Sequence, residues 1–396
     1  GKIRASWGVS GQKFSQRYLS QGLLSANGTT FHGDIAMFPD IRGGVINKKL
    51  SWEETNQYDL GFDLSFLDYR LRLVIDYYYR YTKGQLNQIS LPGDIYYHQF
   101  QWQNGMAISN QGLELELEAD ILRHTAVKWK MKFNASRNWN RFEKSADGFD
   151  FMEQVIGKPL HQIKVFKTDG FYNSLDEVPV YYLANKEVQP LYSGITAGIY
   201  LPGSRRLVDL NGDGRITEDA DVYFAESPLP LAHGGFINQL RWKNFDLNIF
   251  FNYSLGRHIV KVYDDVSMTA NGSAKPLFVD VNDVKIWTEA GSKADYPKSQ
   301  VYAYLMNQTS GRYDCDIESV SFLRLKQLTL GYNVGERVLN KLKISGARIF
   351  VTGENLFLLT NYSGVDPEVV DPYTGYDNFM YYPLARKLTL GLTVKF

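Results

Sequence analysis

The sequence predicts an all-β protein, an antiparallel β-barrel that crosses a membrane. Three observations predict it: apolar and polar residues alternate with period two, long and short connections alternate along the chain, and charged residues keep to one face of the alternating segments. Strict alternation gives a strand one apolar and one polar face. The periodicity typical of helices is nearly absent from the 396 residues.

Ten segments alternate clearly enough to be predicted as strands. In segment 113–121 apolar residues alternate with acidic ones, and in segment 127–135 they alternate mainly with lysines. The predicted strands lie near residues 2–10, 57–67, 69–82, 108–121, 127–141, 234–243, 245–259, 319–333, 343–357 and 386–396.

The connections between these segments alternate in length. Short connections follow the second, fourth, sixth and eighth strands, whereas long ones cover 11–56, 83–107, 142–233, 260–318 and 358–385. Transmembrane barrels combine short periplasmic turns with long extracellular loops. The alternation therefore predicts a transmembrane barrel rather than a soluble sandwich.

The placement of charge supports a membrane barrel. A short turn between segments 113–121 and 127–135 would bring an acidic row opposite a basic row on one face, leaving the other face apolar. The facing residues would be Glu118, Glu116 and Glu114 opposite Lys128, Lys130 and Lys132. Lys or Arg on a lipid face costs about 2–4 kcal/mol at mid-bilayer, so we expect the charged rows to face the lumen.

Composition excludes other classes of protein. Lys and Arg number 43, as do Asp and Glu, so the basic excess typical of nucleic-acid binding is missing. The single cysteine, Cys315, excludes an internal disulfide framework and a multi-cysteine metal site. No apolar run approaches the roughly 18 residues of a membrane helix. The first residues resemble neither a signal peptide nor a Met start, so we expect a processed or fragmentary chain.

The sharpest local motif is an aspartate-rich turn inside the longest loop. Residues 209–221 place oxygen ligands at positions one, three and five, with Gly at six and Ile at eight, like the front half of an EF-hand calcium loop. Position twelve is Ala220, so a neighbouring aspartate must replace the closing acid. We expect Ca²⁺ to stiffen this loop, the alternative being an unoccupied turn. The candidate metal ligands are Asp209, Asn211, Asp213, Arg215 through its carbonyl, Asp219 and Asp221.

Further short motifs occur along the whole chain. They include KIRASWGVSG at 2–11, NQGLELE at 110–116, FLRLK at 322–326, GENLF at 353–357 and YSGVDPE at 362–368. With the aspartate turn among them, they occur in the order found in one family. The chain resembles the SusC/RagA family of TonB-dependent outer-membrane transporters of Bacteroidetes over essentially its full length.

The resemblance implies a location and an architecture. Members sit in the bacterial outer membrane, in contact with lipid and lipopolysaccharide, and have a plug domain inside a barrel of about twenty-two strands. Residues 1–396 would then be the C-terminal part of the barrel, about strands 13–22, without plug or TonB box. The plug-bearing N-terminal part would belong to the same gene or a separate chain, or would be lost.

The resemblance also implies nutrient import. Such a barrel takes up oligosaccharides or peptides together with a SusD-like surface lipoprotein, and the TonB complex acts indirectly through the plug. Aromatic residues of the outer loops could stack against the substrate, although each could equally pack one loop against another. The candidates are Tyr96, Tyr97, Trp102, Tyr181, Tyr182, Tyr192, Tyr200, Tyr373 and Tyr376.

Two alternatives to import stay open. A structural or assembly component could keep the barrel and bind partner proteins without transport, and an enzyme could carry its site at the barrel rim. The scattered histidines and the lack of a Gly-x-Ser-x-Gly motif argue against the enzyme. Cys315 lies between Asp314 and Asp316, which disfavours its thiolate. We expect no catalysis.

Overall fold

The structure is a computed structural model. It describes residues 1–13, 20, 24–39, 45–91, 100–150, 154–182, 188–193, 198–261, 285–295, 297, 312–377 and 381–396. The chain forms two compact units, residues 1–160 with 232–248 and residues 161–231 with 249–396. None of the helices in these ranges is long and apolar enough to span a membrane.

The described residues form mainly β-strands. In chain order these are β1 (Lys2–Gln12), β2 (Leu24–Phe31), β3 (Asp34–Pro39), β4 (Glu53–Phe66), β5 (Leu71–Ser90), β6 (Phe100–Leu122), β7 (Val127–Lys144), β8 (Lys164–Phe166), β9 (Thr168–Phe171), β10 (Val180–Tyr182), β11 (Val188–Pro190), β12 (Tyr192–Ser193), β13 (Gly198–Ile199), β14 (Arg205–Leu207), β15 (Arg215–Ile216), β16 (Val222–Phe224), β17 (Ala232–Trp242), β18 (Phe245–Lys261), β19 (Ile317–Asn333), β20 (Gly346–Thr360), β21 (Tyr376–Asp377) and β22 (Lys387–Lys395). Short 3₁₀ helices cover Leu175–Glu177 and Asp314–Asp316, and α1 covers Glu336–Leu342.

Ten long strands lie in one sheet, in the order β1-β4-β5-β6-β7-β17-β18-β19-β20-β22. These are the ten predicted strands, which are thereby confirmed, and they neighbour one another in chain order. The pairings from β1 to β17 and from β19 to β22 are antiparallel, and the short β21 joins β18 in parallel. Strands β5 and β6 continue their hairpin into the predicted loop 83–107, and the predicted turn 334–342 contains α1.

The predicted pairing of acidic and basic rows is wrong in register. Glu118 lies opposite Lys132 rather than Lys128, and it forms ion pairs with Lys130 and Lys132. The neighbouring residues on this face pair as Asp120 with Lys130, Glu116 with Asn134 and Glu114 with Ser136. The register shifts because β6 pairs with β7 only from Leu122 and Trp129 onward, with an irregularity after Asp120.

Two neighbouring cross-strand rows in β19, β20 and β22 distinguish the faces of the sheet. One row joins Leu330, Val351 and Leu390, which are 51%, 41% and 75% exposed. The next row joins Thr329, Thr352 and Thr389. In this second row the first two side chains are buried and their hydroxyl oxygens lie 2.9 Å apart. An exposed apolar row beside a polar row is the arrangement that a lipid-facing strand requires.

Aromatic side chains line up across the first strands. Trp7 pairs with Tyr58 and Tyr58 with Tyr79, while Gln111 connects Tyr79 to Trp139. Tyr78 lies on the opposite face, where its hydroxyl donates to Asn138 at 2.9 Å. The row has the composition of an interfacial aromatic girdle, and the pleat of β5 explains why only alternate tyrosines take part.

Exchange of Leu390 for Lys should impair assembly into the membrane. The change places a charge on the exposed apolar row, which costs about 2–4 kcal/mol near mid-bilayer. Thr389→Lys is the matched control, because Thr389 belongs to the neighbouring polar row. The measurement is the heat-modifiable fraction of the full transporter in outer-membrane preparations. Equal assembly of the two variants would contradict the assignment of faces.

Candidate functional site

The long segment between β7 and β17 is a folded element with its own core. Short strands pair within it: β8 with β16, β9 with β14, β10 with β11, and β12 with both β13 and β15. Its buried core consists of Phe166, Tyr172, Val178, Leu191, Tyr200, Leu207 and Ile216, and it is completed by Tyr313 from the segment just before β19. The sequence predicted a plain loop here, because strands of two to four residues are too short to show a period.

The aspartate turn within this element has the predicted sharp geometry. Asp209 accepts hydrogen bonds from the backbone N–H groups of Gly212 at 2.7 Å and Gly214 at 2.8 Å, one at each carboxylate oxygen. Asp213 accepts from the N–H of Arg215 at 2.8 Å. Gly212 and Gly214 have φ of +75° and +81°, a region that disfavours other residues. The turn is thus closed by its own backbone.

The far end of the turn is closed by a buried carboxylate. Asp221 is fully buried, and its two oxygens accept the N–H groups of Leu210 at 2.9 Å and Thr217 at 2.7 Å. Asp219 is exposed. Within the described ranges, no group of three or more His, Cys, Asp or Glu side chains is placed to hold a metal ion. A metal here would depend on Asn211 and the Arg215 carbonyl as well as the aspartates, and it stays a prediction.

Tyr181, predicted as a substrate contact, packs against the turn. Its ring covers Gly214, where an added Cβ would lie 2.8 Å from Cγ of the ring. Its hydroxyl donates to Asp209, and burial together with that carboxylate raises the pKa of Tyr181 to about 12. Partial burial also raises the pKa of Asp209. The hydrogen bonds from Gly214, Tyr181 and Gly212 outweigh it, so the pKa of Asp209 lies below its usual value.

The other predicted substrate aromatics differ in exposure. Tyr200 is buried in the core, with its ring 5.7 Å from that of Tyr172. Cations lie over two more rings: Arg215 is 5.8 Å from the ring centre of Tyr192, and Arg312 is 4.8 Å from that of Tyr376 and donates to its hydroxyl at 2.7 Å. Tyr182 and Tyr373 are 79% and 63% exposed, Trp102 is half-buried in β6, and Tyr96 and Tyr97 lie outside the described residues.

A polar pocket of about 640 Å³ opens beside this core. It is lined by Thr168, Tyr223, Phe224, Ala225, Glu226, Asp314, Cys315 and Ile317. Asp314 accepts hydrogen bonds from the N–H of Thr168 at 3.0 Å and the hydroxyl of Tyr223 at 3.3 Å. Sequence reasoning missed this pocket, since its lining residues come from three separate parts of the chain, at positions 168, 223–226 and 314–317, and no predicted aromatic lines it.

Cys315 in this pocket is held as a thiol. Burial and the Asp316 carboxylate raise the pKa of Cys315 to about 11. Arg205, whose Nη1 lies 2.7 Å from the sulfur, acts in the opposite direction but does not prevail. Desolvation contributes more to this rise than Asp316, the neighbour on which the sequence-based expectation rested.

The YSGVDPE motif folds against strands β18 and β19. Arg324 of β19 is almost fully buried and pairs with Asp366 at 2.5 Å and Glu368 at 2.6 Å. Arg257 of β18 donates to the backbone carbonyls of Pro367 and Asp371, both at 3.1 Å. The motif is therefore the anchor of segment 361–377, the segment that carries Tyr373 and Tyr376.

The chain belongs to the family described as TonB dependent receptor-like, beta-barrel, whose model matches residues 2–395. It is 31% identical over 421 residues to TonB-dependent receptor P3 of Formosa agariphila and 27% identical over 400 residues to TonB-dependent receptor SusC of Bacteroides thetaiotaomicron. These alignments cover the whole chain but 39% and 37% of the relatives.

Solved structures share this fold. The chain matches the RagAB peptide transporter with a TM-score of 0.71 at 22% identity, over 100% of this chain and 40% of that one. The RagAB peptide importer in its open-open state matches with a TM-score of 0.73 at 21% identity, with the same coverage. The chain is a SusC/RagA-like barrel portion of the bacterial outer membrane, and it spans about two fifths of its relatives' length.

Exchange of Gly214 for Ala should loosen the aspartate turn. The new Cβ would meet the Tyr181 ring, in addition to about 1–2 kcal/mol of strain from a left-handed backbone. Gly212→Ala is the matched control, with a similar φ but no atom within 4 Å of the added carbon. We expect faster proteolytic cleavage near residues 209–221 in Gly214→Ala than in Gly212→Ala. Equal cleavage would show that the Tyr181 contact does not hold the turn.

Proposed function

We propose that this chain forms the barrel part of a SusC-like TonB-dependent importer. It takes up oligosaccharides or peptides across the outer membrane together with a SusD-like lipoprotein. The observation that carries the proposal is the folded element at residues 163–231, which packs around a buried core within a chain of this family. Such an element presents a fixed surface to solutes and to a partner, whereas a short loop could only join two strands.

The described surface offers two kinds of substrate contact. Tyr182 and Tyr373 present exposed rings, and rings of this kind stack on sugars or on apolar peptide side chains. The pocket beside Cys315 offers the Glu226 carboxylate and the Tyr223 ring. RagAB, to which the fold is similar, is described as a peptide importer, which supports peptides as one of the two substrate classes.

The proposal predicts two companions for the chain. Mild-detergent extracts should contain a SusD-like lipoprotein and a plug-bearing polypeptide, either continuous with this chain or separate from it. Mass spectrometry of the co-purifying polypeptides checks this, with an unrelated outer-membrane barrel as control. Uptake of labelled oligosaccharides or peptides should then be lost when the chain is deleted and restored by complementation. Purification of the chain alone, or unchanged uptake of both substrate classes, would contradict import.

The aspartate turn is proposed to bind Ca²⁺ as a structural ion. The hydrogen bonds of Asp209 and Asp213 to the turn already give the chain the bend that such a loop needs. Calcium would stiffen the turn at residues 209–221 without taking part in transport. This role is compatible with either substrate class.

Calcium should raise the melting temperature of the purified transporter, and EDTA should lower it. At a hundredfold excess over its Kd a ligand stabilises the folded state by about 2.7 kcal/mol. Asp209→Ala should abolish the difference between calcium and EDTA. Asp176→Asn, an exposed acid outside the turn, should keep it. The same melting temperature with and without calcium in the unaltered protein would rule out the ion.

A further inference from the structure

The connection between β19 and β20 contains the amphipathic helix α1. Val338 and Leu342 are 49% and 60% exposed, and their spacing of four residues places them on one face. Arg337 and Lys341 have the same spacing and form an exposed flank beside that face. Glu336 lies on the opposite side, as the helical period requires. Such a helix has an apolar face, a cationic flank and a polar back.

Hydrogen bonds hold α1 close to the strand ends. The N–H of Val334 donates to the carbonyl of Ala347 at 2.9 Å, which closes the strands just before the helix begins. At the other end Lys343 adopts a left-handed conformation with φ of 54°, and the N–H of Ile344 donates to Leu339 at 3.2 Å. These hydrogen bonds keep α1 next to the ends of β19 and β20.

The exposed apolar face of α1 follows an exposed apolar strand face. Leu330 and Tyr332 of β19 are 51% and 40% exposed, and Ile349 of β20 is 46% exposed. The exposed apolar face of these strands thus reaches to within a few residues of Val338. An aqueous position would leave two aliphatic side chains of a seven-residue helix in water.

We propose that α1 lies in the headgroup region of the periplasmic leaflet and binds anionic phospholipid. Val338 and Leu342 enter the acyl boundary, while Arg337 and Lys341 extend along it to the phosphates. Lys343 adds a third cation, against the single acid Glu336 within residues 336–343. Short amphipathic helices with basic flanks bind membrane surfaces through these two contributions.

The other short connections have a similar composition. Leu67 and Tyr69 are 72% and 82% exposed and precede Arg70. Leu122 precedes Arg123, and Lys243 lies 5.1 Å from the ring centre of Trp242. An apolar side chain beside a cation thus recurs in these short connections, and α1 is the longest case among them.

Hydrogen exchange of the full transporter in lipid nanodiscs tests the proposal. Amides of α1 should exchange more slowly in nanodiscs containing phosphatidylglycerol than in nanodiscs of phosphatidylcholine alone, while amides of β19 and β20 should not differ. Each basic side chain near an anionic surface contributes roughly fivefold to binding. Equal exchange in the two lipids, or equally slow exchange in detergent, would overturn the proposal, the latter by indicating a protein partner.

Three variants separate the cationic from the apolar contribution to lipid binding. Arg337→Gln with Lys341→Gln should abolish the difference between the lipids, whereas Glu336→Gln, on the opposite side, should preserve it. Val338→Ser with Leu342→Ser should speed exchange in both lipids, because the apolar anchor is lost. A lipid difference that survives loss of both cations would overturn the anionic contact. Unchanged exchange after loss of the apolar pair would overturn the insertion.

Discussion

Every backbone N–H and C=O inside a bilayer must pair within the protein, because lipid offers no hydrogen-bonding partner. A sheet meets this demand only through long strands that each pair with the next, and the ten-strand order follows the chain for that reason. The bilayer also requires polar and apolar side chains to lie on opposite faces of each strand. Charged groups such as Glu118 and Lys132 share one face of their strands, and the adjacent pair Leu117 and Phe133 lies on the other.

The strands could be predicted because this constraint acts on each residue locally. Alternation shows which side chains share a face, and all ten strands followed from it. Register could not be predicted, because a shift by an even number of residues leaves every side chain on its own face. Glu118 keeps to the charged face whether it meets Lys128 or Lys132. The turn decided between them through the pairing of Leu122 with Trp129.

The candidate site shows the same division between local and distant interactions. The turn at Asp209 could be predicted because its hydrogen bonds join residues a few positions apart. The contact of Tyr181 with Asp209 and that of Thr168 with Asp314 join distant parts of the chain, and no short motif records them. Tyr181 and Tyr182 are adjacent in sequence, yet the first packs on Gly214 and the second is exposed, a difference that no local pattern predicts.

The core of residues 163–231 changes what the outer loops can contribute to recognition. A long loop that orders only on binding loses affinity to the entropy of ordering, whereas a packed element has met that cost during folding. Tyr200 and Tyr181 are used to build the element, so Tyr182 and the pocket at Asp314 are held in fixed positions. Arg324 does the same for the segment that carries Tyr373. Selectivity in the proposed importer would then come from the shape of a preformed surface, with aromatic rings supplying contact area.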